Sequence, residues 1–485
     1  MRMAFVFPPF SYKLHEENLR VVQKFFGLFP PLSMCWAAGI AKQAGHEPAI
    51  IDARTIGLSK RDTLARLKEF KPDILGYMMT TYMFRETLGW IEHAKSALNV
   101  PVVIGGYNLR VYPKESVQSE AVDYGVVNSA LVTLPELLKQ LEGPRDFSSV
   151  PGLVYKIKGK PIVNPPPSTP EQFHKYPMPM REGLPHEIYE EFPTEQKNFT
   201  VMVTSKGCPR HCLFCEAGGT SYDPRDPEQV VDEIEDCYNR FGIREIDIFD
   251  YEFPLHRKRI ASICQLIIDR KLRITWACRS RIDSVDEDLI RLMVKAGCNR
   301  IYFGIESGVQ SILDEVNKGI TLRQIEEVIH MVKYYGIRPL GFFLVGAPGE
   351  TRETFFETFE FAKKLKLDYV QFSKCTAKPL TGLWKKMVED AGYDYWREYI
   401  LGNVAESALP RPWTMLSNAE IDSITRWAYI RYHARPSFLL SHIRKIRSFG
   451  EFKRKFMGFI DMCFKQESVS EQWTKKNQPF DIYRP

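Results

Sequence analysis

Short apolar runs alternate with helical patterns along most of this 485-residue chain, and this alternation constrains the fold more than any other feature. Runs such as Ala4–Phe7 and Ile74–Tyr77 predict strands, whereas Ser33–Ala44 and Arg85–Leu98 have the spacing of amphipathic helices. Strand and helix in alternation are typical of a parallel sheet covered by helices. We therefore predict an α/β, doubly wound (Rossmann-like) domain over residues 1–150. The remaining elements predicted for it are Glu47–Ile51, Lys60–Phe70, Val102–Ile104 and Tyr124–Val127.

Residues 151–195 interrupt the alternation. The segment GLVYKIKGKPIV predicts a hairpin that turns at Gly159-Lys160, and the proline-rich stretch after it predicts a linker. A second series of strands and helices then predicts a partial (β/α) barrel over residues 196–385, with its chemistry at the carboxyl ends of the strands. Residues 386–485 are predicted to form a helical C-terminal domain. The predicted barrel strands are Thr200–Thr204, Glu245–Phe249, Thr275–Arg279, Arg300–Ile305, Gly341–Val345 and Tyr369–Phe372.

Three of the ten cysteines lie together after the first barrel strand, in the sequence GCPRHCLFC. Thiolates from Cys208, Cys212 and Cys215 can bind three irons of a four-iron cluster and leave the fourth iron open to a small molecule. The alternatives are a zinc site or three incidental cysteines. Structural zinc sites use four protein ligands, and the sequence has no second group of closely spaced cysteines. The pattern therefore favours the cluster, with the three cysteines as both metal ligands and catalytic residues.

Charge and hydropathy exclude several functional classes. No apolar run approaches the roughly 20 residues that span a bilayer, and the N-terminus lacks the pattern of a signal peptide. We therefore expect a cytoplasmic protein. A net charge of +6 without a basic block before the C-terminus argues against nucleic acid as a partner. Residues 431–460 combine basic and apolar side chains at helical spacing, so they could touch a membrane surface or lipid, or pack on the barrel.

The cysteine motif resembles that of the radical SAM superfamily, whose members use a [4Fe-4S] cluster to cleave S-adenosylmethionine (SAM). The resemblance continues in DIFDYEF (247–253), RSRID (279–283), IYFGIESG (301–308) and VGAPGET (345–351). From the residues alone, Glu306 could instead cap a helix, and Arg281 could pair with a surface carboxylate. The SAM contacts implied by the resemblance are Phe214 and the turn at Gly346 for the adenine, Asp250 or Glu252 for the amino group, Arg281 for the carboxylate, and Glu306 as a further acid.

The first domain resembles that of the cobalamin-binding subfamily, which includes class B methyltransferases and the anaerobic Mg-protoporphyrin ester cyclase group. The matching segments are residues 30–53, 71–81 and 101–107. The resemblance implies cobalamin contacts in the loops after two strands, at Thr80, Thr81, Gly105 and Gly106. No D-x-H-x-x-G motif is present, so no histidine is predicted to bind cobalt. Residues 128–131 read NSAL where the subfamily has G-E-G-E, which implies an altered cobalamin site or a domain that has lost the cofactor.

These features together predict a radical enzyme. The leading hypothesis is cobalamin-dependent methylation of an unactivated carbon in a small molecule, under anaerobic conditions, with an external one-electron reductant of the flavodoxin or ferredoxin type. An aromatic content of 13% suggests an apolar or ring-bearing substrate. A second hypothesis is oxidative cyclisation or carbon–carbon bond formation without methyl transfer. A third is a corrin-binding sensor that performs no catalysis.

Overall fold

The computed structural model describes residues 1–9, 27–128, 130–191, 193–196, 198–405, 409–436 and 438. The basic tail predicted to touch a membrane or to pack on the barrel lies almost entirely outside these residues.

The first sheet has seven strands in the order β2-β1-β3-β4-β5-β6-β7. Strands β1 to β5 are parallel, as predicted, and their order 2-1-3-4-5 is that of a doubly wound fold. Ligands in such sheets bind beyond the carboxyl ends of β1 and β3, where the strand order reverses. The strands are β1 (Arg2–Val6), β2 (Glu47–Ile51), β3 (Ile74–Met78), β4 (Val102–Gly105), β5 (Tyr124–Val126), β6 (Leu153–Ile157) and β7 (Lys160–Val163).

Helices cover both faces of this sheet. Several begin or end as their sequences suggest: Ser59 caps α2 by accepting from the Asp62 backbone N–H, and Asn99 ends α3 in the left-handed conformation. The helices are α1 (Leu32–Gln43), α2 (Lys60–Phe70), α3 (Phe84–Leu98), α4 (Tyr107–Val111), α5 (Pro113–Ser116) and α6 (Ala130–Glu142).

The predicted hairpin forms, but it belongs to the first sheet. Strand β6 pairs antiparallel with β5, so the hairpin extends this sheet instead of standing in the linker. Its turn is Lys158-Gly159, one residue before the predicted position. Both residues have positive φ, 48° and 76°, which is the backbone of a tight two-residue turn.

The second sheet has six parallel strands in the order β15-β14-β13-β12-β11-β8. Within the described residues its two edge strands β8 and β15 do not pair, so the sheet is an open half-barrel, as the prediction of a partial barrel required. A two-stranded ribbon of β9 and β10 stands beside it. The strands are β8 (Phe199–Met202), β9 (Ser205–Lys206), β10 (Asp223–Pro224), β11 (Glu245–Ile248), β12 (Thr275–Ser280), β13 (Cys298–Glu306), β14 (Arg338–Val345) and β15 (Tyr369–Lys374).

The alternation of side chains along β13 explains the two faces of the half-barrel. Ile301, Phe303 and Ile305 belong to the large core beneath the outer helices. Tyr302, one position out of step, packs on the inner face in a cluster that includes Leu340. The outer helices are α7 (Pro227–Arg240), α8 (Arg257–Asp269), α9 (Glu287–Lys295), α10 (Gln310–Glu315), α11 (Leu322–Tyr334), α12 (Arg352–Leu365) and α15 (Asn418–His433).

Helices α13 (Gly382–Ala391) and α14 (Tyr395–Leu401) join the half-barrel to the first domain. One apolar cluster contains residues of these two helices together with residues of the first domain. Arg85 of α3 donates to the Tyr399 carbonyl oxygen from Nε and Nη2 (3.0 and 2.7 Å), and the Tyr112 hydroxyl donates to Asp394 Oδ2 at 2.7 Å. The carboxyl ends of the first sheet therefore lie close to the mouth of the half-barrel. Across the described ranges, no helix has the length and apolarity to cross a membrane.

Candidate active site

The three clustered cysteines lie on a loop that begins and ends at the β9–β10 ribbon. The Cys208 backbone N–H donates to Thr220 Oγ1 (3.1 Å), and the Thr220 N–H donates back to the Cys208 carbonyl oxygen (3.1 Å). Gly207 has φ 74°, and a Cβ there would lie 2.0 Å from the Ser221 carbonyl oxygen. A glycine before the first cysteine is thus required by both conformation and space.

Two other segments hold the middle of this loop. The Leu213 N–H donates to the Val316 carbonyl oxygen (3.0 Å), and the Leu213 carbonyl oxygen accepts from the Leu383 N–H (3.1 Å). The cysteines are therefore positioned by the half-barrel on one side and by α13 on the other. Phe214 is partly buried against the apolar cluster shared by both domains.

The thiols are partly shielded from solvent. Burial raises the pKa of the Cys208 thiol, and it raises that of Cys215 to about 11. Metal binding at these positions must therefore displace protons. In the part of the chain that is described, no three side chains of His, Cys, Asp or Glu are grouped to hold a single metal ion. A four-iron cluster does not need such a group, because each cysteine binds a different iron.

Arg281 reaches the cysteine loop from the end of β12. Its Nη1 lies 3.5 Å from Cys212 Sγ, and its Nε and Nη2 donate to the two carboxylate oxygens of Asp283 (2.8 and 3.2 Å). Nη2 also donates to the Lys318 carbonyl oxygen at 2.5 Å. The guanidinium, which the resemblance assigned to the SAM carboxylate, is thus bonded to the protein and directed at the cysteine sulfur.

Glu306 lies at the carboxyl end of β13 and forms a buried ion pair. Its Oε1 accepts from Lys318 Nζ at 2.8 Å, and the backbone of Glu306 is left-handed, with φ 69°. The pairing of β13 with β14 shifts register between Gly304 and Glu306, which turns the carboxylate toward the mouth. The structure therefore brings Glu306, Arg281 and Cys212 together around Lys318.

The two acids of DIFDYEF have different surroundings. Asp250 accepts from the Thr204 N–H (2.6 Å), from Thr204 Oγ1 (2.5 Å) and from Ser205 Oγ (2.6 Å), so it fixes the chain that leads into the cysteine loop. Glu252 lies on the mouth side, where its Oε1 accepts from the Arg281 backbone N–H at 3.0 Å. Burial raises the pKa of Glu252. Asp250 therefore positions the chain, whereas Glu252 lies beside the cysteine loop.

Gly346 stands apart from this group. Its N–H donates to Glu350 Oε2 (2.5 Å), its carbonyl oxygen accepts from Trp413 Nε1 (2.9 Å), and a Cβ would lie 2.6 Å from Ile421. With φ 73° the residue forms the expected tight turn. Both of its backbone groups are used within the protein, and its α-carbon faces the C-terminal helix α15.

The loops after β3 and β4 are in contact beside the reversal point of the first sheet, which lies between β1 and β3. The Met79 N–H donates to the Gly105 carbonyl oxygen (2.7 Å), and Gly106 adopts φ 113° with its α-carbon against the Met79 carbonyl oxygen. Around Gly105 a Cβ would meet nothing within 4 Å. The Thr81 hydroxyl is buried without a hydrogen-bond partner among the described residues. Open space at Gly105 and this unused hydroxyl are compatible with a ligand bound at these two loops, where the resemblance placed cobalamin.

The NSAL segment keeps the backbone that glycine would give. Asn128 has φ 68°, a left-handed conformation that asparagine tolerates. Ser129 lies outside the described residues. At the start of α6 the Leu131 N–H donates to Glu171 Oε1 (2.9 Å), and the other Glu171 oxygen accepts from the Tyr176 hydroxyl (2.5 Å). The linker thus caps the helix at this loop.

Tyr107 connects the two sites. It follows Gly106, its hydroxyl donates to the Pro379 carbonyl oxygen at 2.9 Å, and burial with the nearby charge of Glu216 raises its pKa to about 12. Cys215 also acts on it electrostatically. Tyr107 is therefore bonded to the segment that follows β15 and lies near the cysteine loop.

No sequence pattern marked Lys318 as a site residue. It stands in NKG (317–319), a stretch that is typical of an exposed turn, yet its side chain is 5% exposed. The one hint in the sequence is Gly304, two residues before Glu306. Glycine has no side chain, and the ion pair of Glu306 and Lys318 occupies the space that a side chain at this position would fill.

Comparison with known proteins agrees with this arrangement. The family model for the Radical SAM superfamily matches residues 202–362, and that for the B12 binding domain matches residues 19–138. The first range contains the cysteine loop and the strands up to β14. The second contains the loops after β3 and β4.

An uncharacterized methyltransferase of Pyrococcus horikoshii is 31% identical over 471 residues, which is 96% of this chain and 99% of that protein. The anaerobic magnesium-protoporphyrin IX monomethyl ester cyclase of Rubrivivax gelatinosus is 28% identical, with 80% of this chain and 70% of the cyclase covered.

Two solved structures share the architecture. The cobalamin-dependent SAM radical enzyme OxsB superposes with a TM-score of 0.70 at 18% identity, covering 94% of this chain and 70% of OxsB. The radical SAM methyltransferase TsrM of Kitasatospora setae superposes with a TM-score of 0.66 at 20% identity, covering 81% and 75%. At these identities the likeness concerns the fold. The cysteine loop, the two family matches and the full-length relative together show that the chain belongs to the radical SAM superfamily, with a B12 binding domain preceding the radical SAM domain.

Proposed function

We propose that the protein is a cobalamin-dependent radical SAM enzyme that methylates an unactivated carbon of a small molecule. The single observation that carries this proposal is the packing of Phe214, on the cysteine loop, against the apolar cluster that contains Met79 and Leu109, which follow β3 and β4. A methyl carrier in the first domain and a radical source in the half-barrel would then share one space. The relative in Pyrococcus horikoshii, described as a methyltransferase, supports the same reaction.

When bound, the [4Fe-4S] cluster supplies the electron that cleaves SAM to methionine and a 5′-deoxyadenosyl radical, and cobalamin supplies the methyl group. The chain's own residues bind and orient. We assign cluster binding to Cys208, Cys212 and Cys215, and the acids facing the SAM ammonium group to Glu252 and Glu306. Asp250 is a positioning residue, because it bonds Thr204 and Ser205 at the start of the cysteine loop. An external low-potential protein of the flavodoxin or ferredoxin type would supply the electron.

The inner face of the half-barrel supports an apolar or ring-bearing substrate. The Arg279 guanidinium lies 3.8 Å from the Phe249 ring centroid and 5.0 Å from that of Tyr302. Tyr302 in turn stacks on Phe342, with 5.7 Å between centroids. Asp247 holds Arg279 in place at 2.8 Å. These flat groups pack together across β11 to β14, and the partly exposed rings of Phe249 and Phe342 offer a flat apolar face to such a substrate.

The test is product analysis with protein reconstituted anaerobically with iron, sulfide and cobalamin. Methyl transfer predicts 5′-deoxyadenosine from the SAM that is cleaved, S-adenosylhomocysteine from a second SAM that would remethylate cobalamin, and a product heavier by one CH₂ unit. Cys212→Ala should form no 5′-deoxyadenosine and no methylated product, whereas Cys264→Ala, which removes a thiol buried in the core beneath the outer helices, should form both. Formation of 5′-deoxyadenosine without S-adenosylhomocysteine would contradict methyl transfer.

A second function has one specific observation in its favour, the 28% identity with the magnesium-protoporphyrin cyclase over 80% of this chain. Oxidative cyclisation would use the same cysteine loop and leave a product that has lost hydrogen. Product mass therefore separates the two reactions.

A further inference from the structure

Two buried cations lie near the sulfur of Cys212, and one of them contacts it. Arg281 directs Nη1 at this atom from 3.5 Å, and Lys318 interacts electrostatically with the same thiol. Arg281 also acts on the Cys208 thiol. The side chains of Arg281 and Lys318 are 8% and 5% exposed, so solvent screens their charges little.

Three hydrogen bonds hold the guanidinium of Arg281 in this orientation. Asp283 holds Nε and Nη2 through a two-pronged contact (2.8 and 3.2 Å), and the Lys318 carbonyl oxygen accepts from Nη2 at 2.5 Å. Nη1 is the remaining nitrogen, and it points at Cys212. An arginine fixed in this way presents a permanent positive charge and an N–H donor to one sulfur.

We propose that Arg281 sets the reduction potential of the cluster, by the N–H it directs at Cys212 Sγ and by its charge. This inference rests on the proposed function, in which the three cysteines bind that cluster. Reduction adds one electron from an external low-potential donor, and no bond forms or breaks in that step. The added negative charge is stabilised by hydrogen bonds to the sulfurs and by nearby cations, so Arg281 favours the reduced form.

The experiment is a redox titration of the full-length protein, reconstituted with iron and sulfide, without SAM, with the reduced form measured by electron paramagnetic resonance. Arg281→Gln is compared with Arg210→Gln. Arg210 is the matched control, because it lies on the cysteine loop and pairs with the same Asp283 (3.5 Å) but is 41% exposed. At a fixed solution potential, Arg281→Gln should lower the ratio of reduced to oxidised cluster at least tenfold, which is about 59 mV for one electron. Arg210→Gln should lower it less than threefold.

A ratio within twofold of the parent in Arg281→Gln, with iron content intact, would overturn the inference. If this variant does not retain iron, Asp283→Asn decides, because it keeps one side-chain oxygen and the Lys318 carbonyl oxygen as acceptors for Arg281 and removes its counter-charge. The ratio should then rise about threefold; an unchanged or lower ratio overturns the inference. A parent protein that binds no four-iron cluster contradicts the proposed function itself, and this result is distinct from a cluster with an unchanged potential.

Discussion

Lys318 Nζ lies 2.8 Å from Glu306 Oε1, and this ion pair rests against the α-carbon of Gly304. A Cβ at position 304 would lie 2.5 Å from Glu306 Oε1 and 2.7 Å from Lys318 Nζ. Position 304 therefore has to be glycine, because any side chain there would occupy the space in which Glu306 and Lys318 meet. The pair therefore depends on the sequence of β13 as much as on its own charges.

Gly304→Ala should separate this ion pair and displace Glu306 from the mouth. We expect SAM affinity to fall by about tenfold, the loss of roughly one charge-assisted hydrogen bond. Equilibrium dialysis of the reconstituted protein against SAM measures it. Gly89→Ala on helix α3 is the control, because a Cβ there meets only the end of the Lys60 side chain at 3.4 Å. Equal SAM affinity in both variants would contradict the role given to the pair.

Asp250 and Glu252 should respond differently to substitution. Asp250→Ala leaves three buried donors of Thr204 and Ser205 without an acceptor, so we expect a loss of about 3 kcal/mol in stability and weak iron retention. Glu252→Gln should retain iron and the parent melting temperature but bind SAM less tightly. Thermal unfolding and iron content after reconstitution check both. The assignment fails if Asp250→Ala retains iron and Glu252→Gln loses it.

Substitutions at the two glycines after β4, Gly105 and Gly106, distinguish an effect on stability from a direct contact with cobalamin. Gly106→Ala places a Cβ 2.5 Å from the Met79 carbonyl oxygen at φ 113°, so this variant should unfold at a lower temperature. Gly105→Ala meets nothing within 4 Å, so its stability should equal that of the parent. A weaker affinity for cobalamin in Gly105→Ala, measured by visible absorption, then reports direct contact. Unchanged affinity would place the corrin elsewhere.

Glu350 gives the chain a pH-dependent stability. Burial raises its pKa to about 8 in the folded state, against about 4.5 when exposed. Between these values the unfolded chain has released this proton and the folded chain has kept it, so this carboxyl stabilises less as the pH rises from 4.5 to 8. The melting temperature of Glu350→Gln relative to the parent should therefore be higher at pH 8 than at pH 5. A difference that does not change with pH would contradict the buried, neutral carboxyl.

Much of the fold could be predicted because its signals are local. The alternation of apolar runs with helical patterns predicted both sheets, since each strand and helix has its own periodicity. Strand ends were less accurate: β8 ends at Met202 and not at Thr204, because the Thr204 N–H bonds to Asp250. Strand β14 begins at Arg338, three residues before the predicted start, through a segment that contains Pro339.

Contacts between distant segments had no local signal. The bonds from Arg85 to the Tyr399 carbonyl oxygen, which help join the domains, connect positions 314 residues apart. In the candidate site, the cysteines could be predicted from spacing, but the direction of a side chain could not. The Arg281 guanidinium bonds to Asp283 and to the Lys318 carbonyl oxygen and points at Cys212, and no periodicity or spacing in the sequence indicated these contacts.

If Cys208, Cys212 and Cys215 hold a four-iron cluster, one iron is left for SAM. Mössbauer spectroscopy of the anaerobic protein, reconstituted with ⁵⁷Fe and measured with and without SAM, distinguishes that iron from the other three. We expect a four-iron cluster in which SAM changes the signal of one iron of the four and leaves the other three nearly unchanged. Four irons that are all insensitive to SAM, or a protein that takes up zinc and no iron, would contradict it.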